Sequence, residues 1–195
     1  SFHSTAALGM GSNGPIARLR GRSSTQRWSD VEVGLIATLR SLDPDGHTTL
    51  PDCTRFTGPV WQGTPRPAEQ PDGEPRILVG LSSGFFPGQQ RVLQNILDAL
   101  SGLPVRAIVT TGPAIPAQDL RMPENAELHS YLPHAEVLPT VSLVIGHGGH
   151  GTTMAALSRD LPVIVLPMAK FMDQFKIGQV LEKAGAGRLL PKKSS

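Results

Sequence analysis

The sequence predicts an α/β protein in which a parallel sheet carries helices on both faces, built from residue 76 onward. Three observations carry this. Short runs such as Ile77-Leu78-Val79-Gly80-Leu81 and Val163-Ile164-Val165-Leu166 are apolar almost throughout, as strands buried on both faces are. They alternate with segments of helical period, clearest in Gln89–Leu100, where Val92, Leu93, Ile96, Leu97 and Leu100 fall on one face. One apolar run, Leu143-Val144-Ile145, passes directly into Gly146-His147-Gly148-Gly149-His150-Gly151-Thr152-Thr153, a strand, a glycine-rich turn and a helix start.

Taken in order, residues 1–75 are rich in Gly, Pro, Ser and Thr. Residues 1–29 hold few apolar anchors and are expected to pack loosely. Residues 33–39 read as a strand and residues 56–61 as a short extended piece. Residues 62–75 contain Pro65, Pro67, Pro71 and Pro75 and read as a surface connection. The division is therefore a remnant of one domain at 1–61, a linker at 62–75 and a second domain at 76–195. In that second domain strands are expected at 77–81, 105–109, 127–129, 143–145, 163–166 and 188–190. Helices are expected at 89–100, 133–138 and 152–158. A last helix carries Ile177, Val180, Leu181 and Ala184 and is stopped by Gly185 and Gly187.

Composition excludes several classes. A formal net charge of +2 over 195 residues argues for no nucleic-acid partner, and Arg18, Arg20, Arg22 and Arg27 read as a solvated segment. No apolar run is long enough to span a bilayer. The start has neither Met nor the apolar run of a signal peptide, which suits a fragment. Cys53 is the only cysteine, so there is no internal disulfide, and a cytoplasmic setting is expected.

The residues at the carboxyl ends of the strands point to an anion site, most simply for a diphosphate. Gly146, Gly148, Gly149 and Gly151 allow a sharp turn and close approach of a ligand. Thr152 and Thr153 read as N-cap or first-turn residues of the next helix, whose unpaired N–H groups and positive dipole end suit phosphate. His147 adds a donor, and Ser82 and Ser83 lie on a second loop leaving the same edge. Asp173 and Gln174 offer a carboxylate and an amide side by side, suited to neighbouring sugar hydroxyls. The glycines also spell the weak G-x-G-x-x-G fingerprint, but the following strand ends Leu166-Pro167-Met168 without the acid that would hold a nicotinamide cofactor's ribose. His147 and His150 flank Gly-Gly with no nearby Cys or acid, a poor metal site, so no metal and no cofactor is expected.

On the motifs Leu81-Ser82-Ser83-Gly84, Val109-Thr110-Thr111-Gly112, Tyr131-Leu132-Pro133-His134, His147-Gly148-Gly149-His150-Gly151-Thr152-Thr153, Asp173-Gln174 and Gly185-Ala186-Gly187-Arg188, the chain from about residue 76 resembles a known domain. This is the Rossmann-like C-terminal, donor-binding domain of the two-domain GT-B glycosyltransferases. The nearest resemblance is to the UDP-glycosyltransferase family with its antibiotic and macrolide members. Residues 30–61, ending Thr57-Gly58-Pro59-Val60, resemble the exit of the acceptor domain.

The resemblance implies a role for each matching residue. Tyr131 stacks on the base, with Leu132 and His134 meeting base or ribose. His147 binds the diphosphate. Gly148, Gly149, Gly151, Thr152 and Thr153 line the phosphates. His150 stands where plant members carry tryptophan, and Asp173 and Gln174 hold the donor sugar. The spacer Met168-Ala169-Lys170-Phe171-Met172 is longer than the family's.

The implied reaction is inverting transfer of a hexose from a UDP- or dTDP-sugar to a hydroxyl of a small-molecule acceptor. The general base belongs to the N-terminal acceptor domain. His3 does not match it, so no catalytic base is expected here, and the isolated piece is expected to bind donor without transferring sugar. Two other readings stand beside it: a sugar-nucleotide 2-epimerase of the same fold, and a non-catalytic donor-binding subunit of a split enzyme.

Overall fold

The structure, a computed structural model, describes residues 31–43, 50–60, 67–69, 73–169 and 172–190. The expectations for residues 1–29, for Trp61 and most of the linker, and for Lys170 and Phe171 lie outside the described residues.

Among the described residues there are two parallel sheets. A small one pairs β1 (Gly34–Ile36) with β2 (Thr54–Phe56), Gly34 opposite Thr54. The sequence reading made the first strand too long and began the second extended piece two residues late, because both are short segments in a polar context. A 3-10 turn at Arg40–Leu42 follows β1 and packs against the last helix of the main domain. The guanidinium of Arg40 also lies 5.6 Å from the ring centroid of Phe56.

The main sheet has six parallel strands: β3 (Arg76–Gly80), β4 (Arg106–Thr110), β5 (Ala126–His129), β6 (Leu143–Gly146), β7 (Val163–Val165) and β8 (Gly187–Leu189). Their order is β5-β4-β3-β6-β7-β8. Strands are added to one side of β3 and then, from β6, to the other. With right-handed crossovers that reversal puts the two sets of connections on opposite faces. Accordingly α1 (Gln89–Leu100) covers one face, packing Val92, Leu93, Ile96, Leu97 and Leu100 onto Ile77, Val79, Ala107 and Val109. The other face takes α2 (His134–Val137), α3 (His150–Leu157) and α4 (Gln174–Lys183) over Leu78, Ile108, Val144, Val163 and Val165. The two-residue period of β3 divides its side chains between these cores, which is why the run is apolar throughout.

A glycine sets the junction from α4 into β8. At the end of α4, Gly185 takes a left-handed φ of +71°, its N–H bonds the Glu182 carbonyl and the Ala186 N–H bonds the Leu181 carbonyl, a Schellman stop. Ala184, expected on the apolar face, is exposed at that stop. Of the linker, residues 67–69 run along the second face, with the N–H groups of Ala68 and Glu69 bonded to the carbonyls of Arg159 and Pro139.

Candidate functional site

The reversal of strand order leaves a crevice between the carboxyl ends of β3 and β6, the position where open α/β sheets take their ligands. Both strands end in glycine, Gly80 opposite Gly146. A Cβ on Gly146 would stand 3.2 Å from the Gly80 carbonyl, so the two backbones approach where side chains would hold them apart.

The turn after β6 builds the floor. Gly148 has a φ of +82°, and a Cβ there would meet Val165 and the backbone of Gln174, so the turn is locked against β7 and the start of α4. A Cβ on Gly149 would lie 2.6 Å from the His147 ring, so this glycine lets the imidazole fold over the helix start. α3 begins at His150 with Gly149 as its cap, two residues earlier than expected, because a glycine cap carries no side-chain signal. No side chain caps it, so its first-turn N–H groups face outward, and Gly151 adds open space above them. The helix dipole and these amides make an anion-accepting end.

The earlier start rearranges the threonines. Thr152 falls in the first turn and is half-buried. Thr153 is only 2% exposed, and its N–H bonds the Gly149 carbonyl. The hydroxyl contact expected of Thr153 is therefore turned inward, and its place in the site is as packing beneath it.

Three histidines surround this end, and burial is the leading cause that lowers the pKa of each. At His147 the Asp173 carboxylate opposes that shift and His134 adds to it. At His150 both Asp173 and Asp43 oppose it. His147 thus lies close enough to Asp173 and to His134 to feel the charge of each. Asp43, 4% exposed at the end of the 3-10 turn after β1, reaches this cluster from the first segment. Nothing in the sequence singled it out, since its contact with the site exists only once the 3-10 turn docks on α4.

The other loops are held by amides. Gln89, the first residue of α1 and 2% exposed, donates from Nε2 to the Ser82 carbonyl at 2.6 Å and accepts from the Phe86 N–H at 3.1 Å. Ser82 Oγ accepts from the Gly84 N–H, while Ser83 is exposed and its backbone lies against Gly112. Gln174, the first residue of α4 and 3% exposed, does the same for its own loop: Oε1 accepts from Met168 at 2.7 Å and Ala169 at 3.1 Å. Its amide is therefore engaged inside the loop rather than presented beside Asp173, which stands at the N-cap position of α4. Tyr131 is 76% exposed beside the site, and Leu132 packs its side chain onto the core. His134 is bonded through both ring nitrogens, to Thr110 and Thr152, rather than presented to a base or ribose.

Among the described residues no group of three His, Cys, Asp or Glu side chains is placed to hold a metal, and no helix is long and apolar enough to cross a membrane. A depression of about 300 Å³ lies at the opposite edge, near the starts of β3 to β5, lined by Arg76, Arg106, Glu124 and Asn125. Arg106 there is paired with Glu74 at 3.1 Å, and the depression contains none of the residues singled out above.

Comparison with known proteins gives the family and the fold. A family model described as erythromycin biosynthesis protein CIII-like, C-terminal domain, matches residues 94–195. A PGL/p-HBAD biosynthesis glycosyltransferase of Mycobacterium tuberculosis (strain ATCC 25177 / H37Ra) is 34% identical over 168 residues, covering 84% of this chain and 37% of that protein. Of solved structures, the glycotransferase of kitacinnamycin superposes with a TM-score of 0.73 at 21% identity, covering 100% of this chain and 54% of that one. A spinosyn rhamnosyltransferase solved with spinosyn aglycone gives 0.60 at 25% identity, covering 90% and 47%. The chain thus spans about a third to a half of the proteins it matches.

Proposed function

The chain belongs to the family of erythromycin biosynthesis protein CIII-like C-terminal domains, with the fold of the C-terminal half of a GT-B glycosyltransferase, and from that premise we propose that it is the nucleotide-sugar-binding part of an inverting glycosyltransferase. The donor is a UDP- or dTDP-hexose and the acceptor a hydroxyl of a small molecule. The observation that carries this reading is the uncapped first turn of α3, opening at the switch point of the sheet with His147 folded beside it. Such an end suits the charge that grows on a departing nucleoside diphosphate.

In this mechanism the acceptor hydroxyl attacks the anomeric carbon from the face opposite the leaving group. A base on the acceptor domain takes its proton. The first-turn N–H groups of α3 and His147 stabilise the diphosphate as the bond breaks, and no metal is used. Tyr131 stacks on the base, Ser83 and Thr152 reach the phosphates, and Asp173 holds the sugar. Residues 1–61 are a remnant of the C-terminal part of the acceptor domain, 62–75 the linker and 76–195 the donor domain. The acceptor pocket and base belong to the acceptor domain, so residues 76–195 by themselves are expected to bind the diphosphate without transferring sugar. The lone Cys53 supports a cytoplasmic setting within the same proposal.

The test is calorimetric titration of the chain with UDP and dTDP in the presence of a chelator. His147→Ala is expected to weaken binding by about 1.5–3 kcal/mol, one hydrogen bond to a charged group. Equal affinities for the two proteins would remove His147 from the mechanism, and binding abolished by the chelator would remove the metal-free site.

A further inference from the structure

His134 occupies a place made for it. It is the first residue of α2, and its ring lies over the end of β3, where Gly80 has no side chain. A Cβ on Gly80 would stand 2.8 Å from Thr110 Oγ1 and 3.1 Å from His134 Cε1, so the glycine is the vacancy that admits both groups. The ring then bridges two elements of the site. Nε2 is 3.2 Å from Thr110 Oγ1 at the end of β4, and Nδ1 is 3.1 Å from Thr152 Oγ1 in the first turn of α3. Thr110 Oγ1 also lies 3.5 Å from the Val79 carbonyl.

These distances constrain one another. Burial favours the neutral ring, which has one N–H donor and one bare nitrogen. The two threonine hydroxyls must therefore play opposite parts. One arrangement that uses all three contacts has Thr110 donating to Val79, Nε2–H donating to Thr110, and Thr152 donating its single hydrogen to Nδ1. An anion on α3 offers no hydrogen, so Thr152 contacts it only by donating. If the ring kept its proton on Nε2, the bare Nδ1 would then face the lone pairs of Thr152 Oγ1. The consistent alternative has Nδ1–H donating to Thr152 and Thr110 donating to Nε2. The bond given up is that from Thr110 to Val79, already long for a hydroxyl donor.

Resting on the diphosphate-site reading above, we infer that His134 is a positioning residue whose neutral ring changes tautomer when the diphosphate binds, turning the Thr152 hydroxyl from the ring to the phosphate. One proton leaves Nε2 to water and one arrives from water at Nδ1, so the net charge is unchanged and three hydrogen bonds exist in each state. His134 in this role never touches the ligand. It determines which way a ligand-contacting hydroxyl points, and it ties the ends of β3 and β4 to α3.

The experiment is long-range 1H–15N correlation of histidine-labelled chain, which reads the protonation of each ring nitrogen, without ligand and saturated with UDP or dTDP. The expected result is Nε2–H in the free protein and Nδ1–H in the bound one. In Thr152→Val, which lacks the hydroxyl, the ring is expected to stay Nε2–H on binding, with affinity lowered about tenfold. The same tautomer in both states of the wild type overturns the inference, as does a bound ring protonated on both nitrogens or a change that persists in Thr152→Val. Those results leave diphosphate binding intact. A wild-type chain that binds neither nucleotide overturns the site reading itself and this inference with it.

Discussion

Replacing Gln174 with methionine tests how the loop from β7 into α4 is held. The two side chains are close in length and volume, so the change removes the amide with little change in packing. In the native chain Oε1 accepts from Met168 N–H at 2.7 Å and Ala169 N–H at 3.1 Å. Both donors belong to residues only 6% exposed, and Gln174 itself is 3% exposed. Removing the acceptor leaves two buried N–H groups unpaired. Each costs about 1–3 kcal/mol, an upper total of about 6 kcal/mol. The loop recovers part of this by opening toward water, so a net loss of about 2–4 kcal/mol is expected. Urea unfolding should show a lower midpoint at unchanged slope. Amide exchange at Met168 and Ala169 should rise well before that of β6. Because Asp173 follows the loop directly, UDP affinity should fall as well. Native-like exchange at both amides, with stability within about 0.5 kcal/mol of wild type, would refute the assignment of Gln174 as the loop's tie.

Three further outcomes are expected. Gly80→Ala should destabilise the chain by about 1–3 kcal/mol through overpacking against Thr110 and His134, measured by thermal or urea unfolding, and should also weaken UDP binding. Tyr131→Ala should leave the unfolding curve unchanged, because the ring is 76% exposed, but weaken nucleotide binding by about 1–3 kcal/mol if the ring stacks on the base. The pH dependence follows from His134, His147 and His150, each lowered below its ordinary 6.5 in the folded chain. Between those lowered values and 6.5 the unfolded chain binds more protons than the folded one. Stability should therefore be full above 6.5 and fall as pH drops through it, seen as a falling urea midpoint. UDP binding should move the other way, strengthening over that window as the diphosphate favours protonated His147; a flat calorimetric profile would contradict this.

What the sequence alone determined is what short-range patterns encode. An apolar run of strand length means burial on both faces, and the 3.6-residue period of 89–100 means one buried helix face, so the main-sheet strands and α1 were legible to within about two residues. The glycine run after β6 marked the sharp turn from strand to helix, because residues without a Cβ allow such close approach. The tertiary structure decided everything that depends on which distant groups meet. The start of α3 at a glycine cap turned Thr153 inward. Gln89 and Gln174 tie loops, although Gln89 reads as an ordinary polar residue at a helix start and Gln174 as a contact to sugar hydroxyls. Asp43 reaches His150 only through the docking of the first segment on α4. His134 looked like a ligand contact because its neighbours in sequence suggested one. Its actual partners sit on β4 and α3, and its room comes from Gly80 on β3. A hydrogen bond between residues far apart in the chain leaves no period in the sequence. It is fixed by strand order and register, and those are set by the packing of the whole sheet.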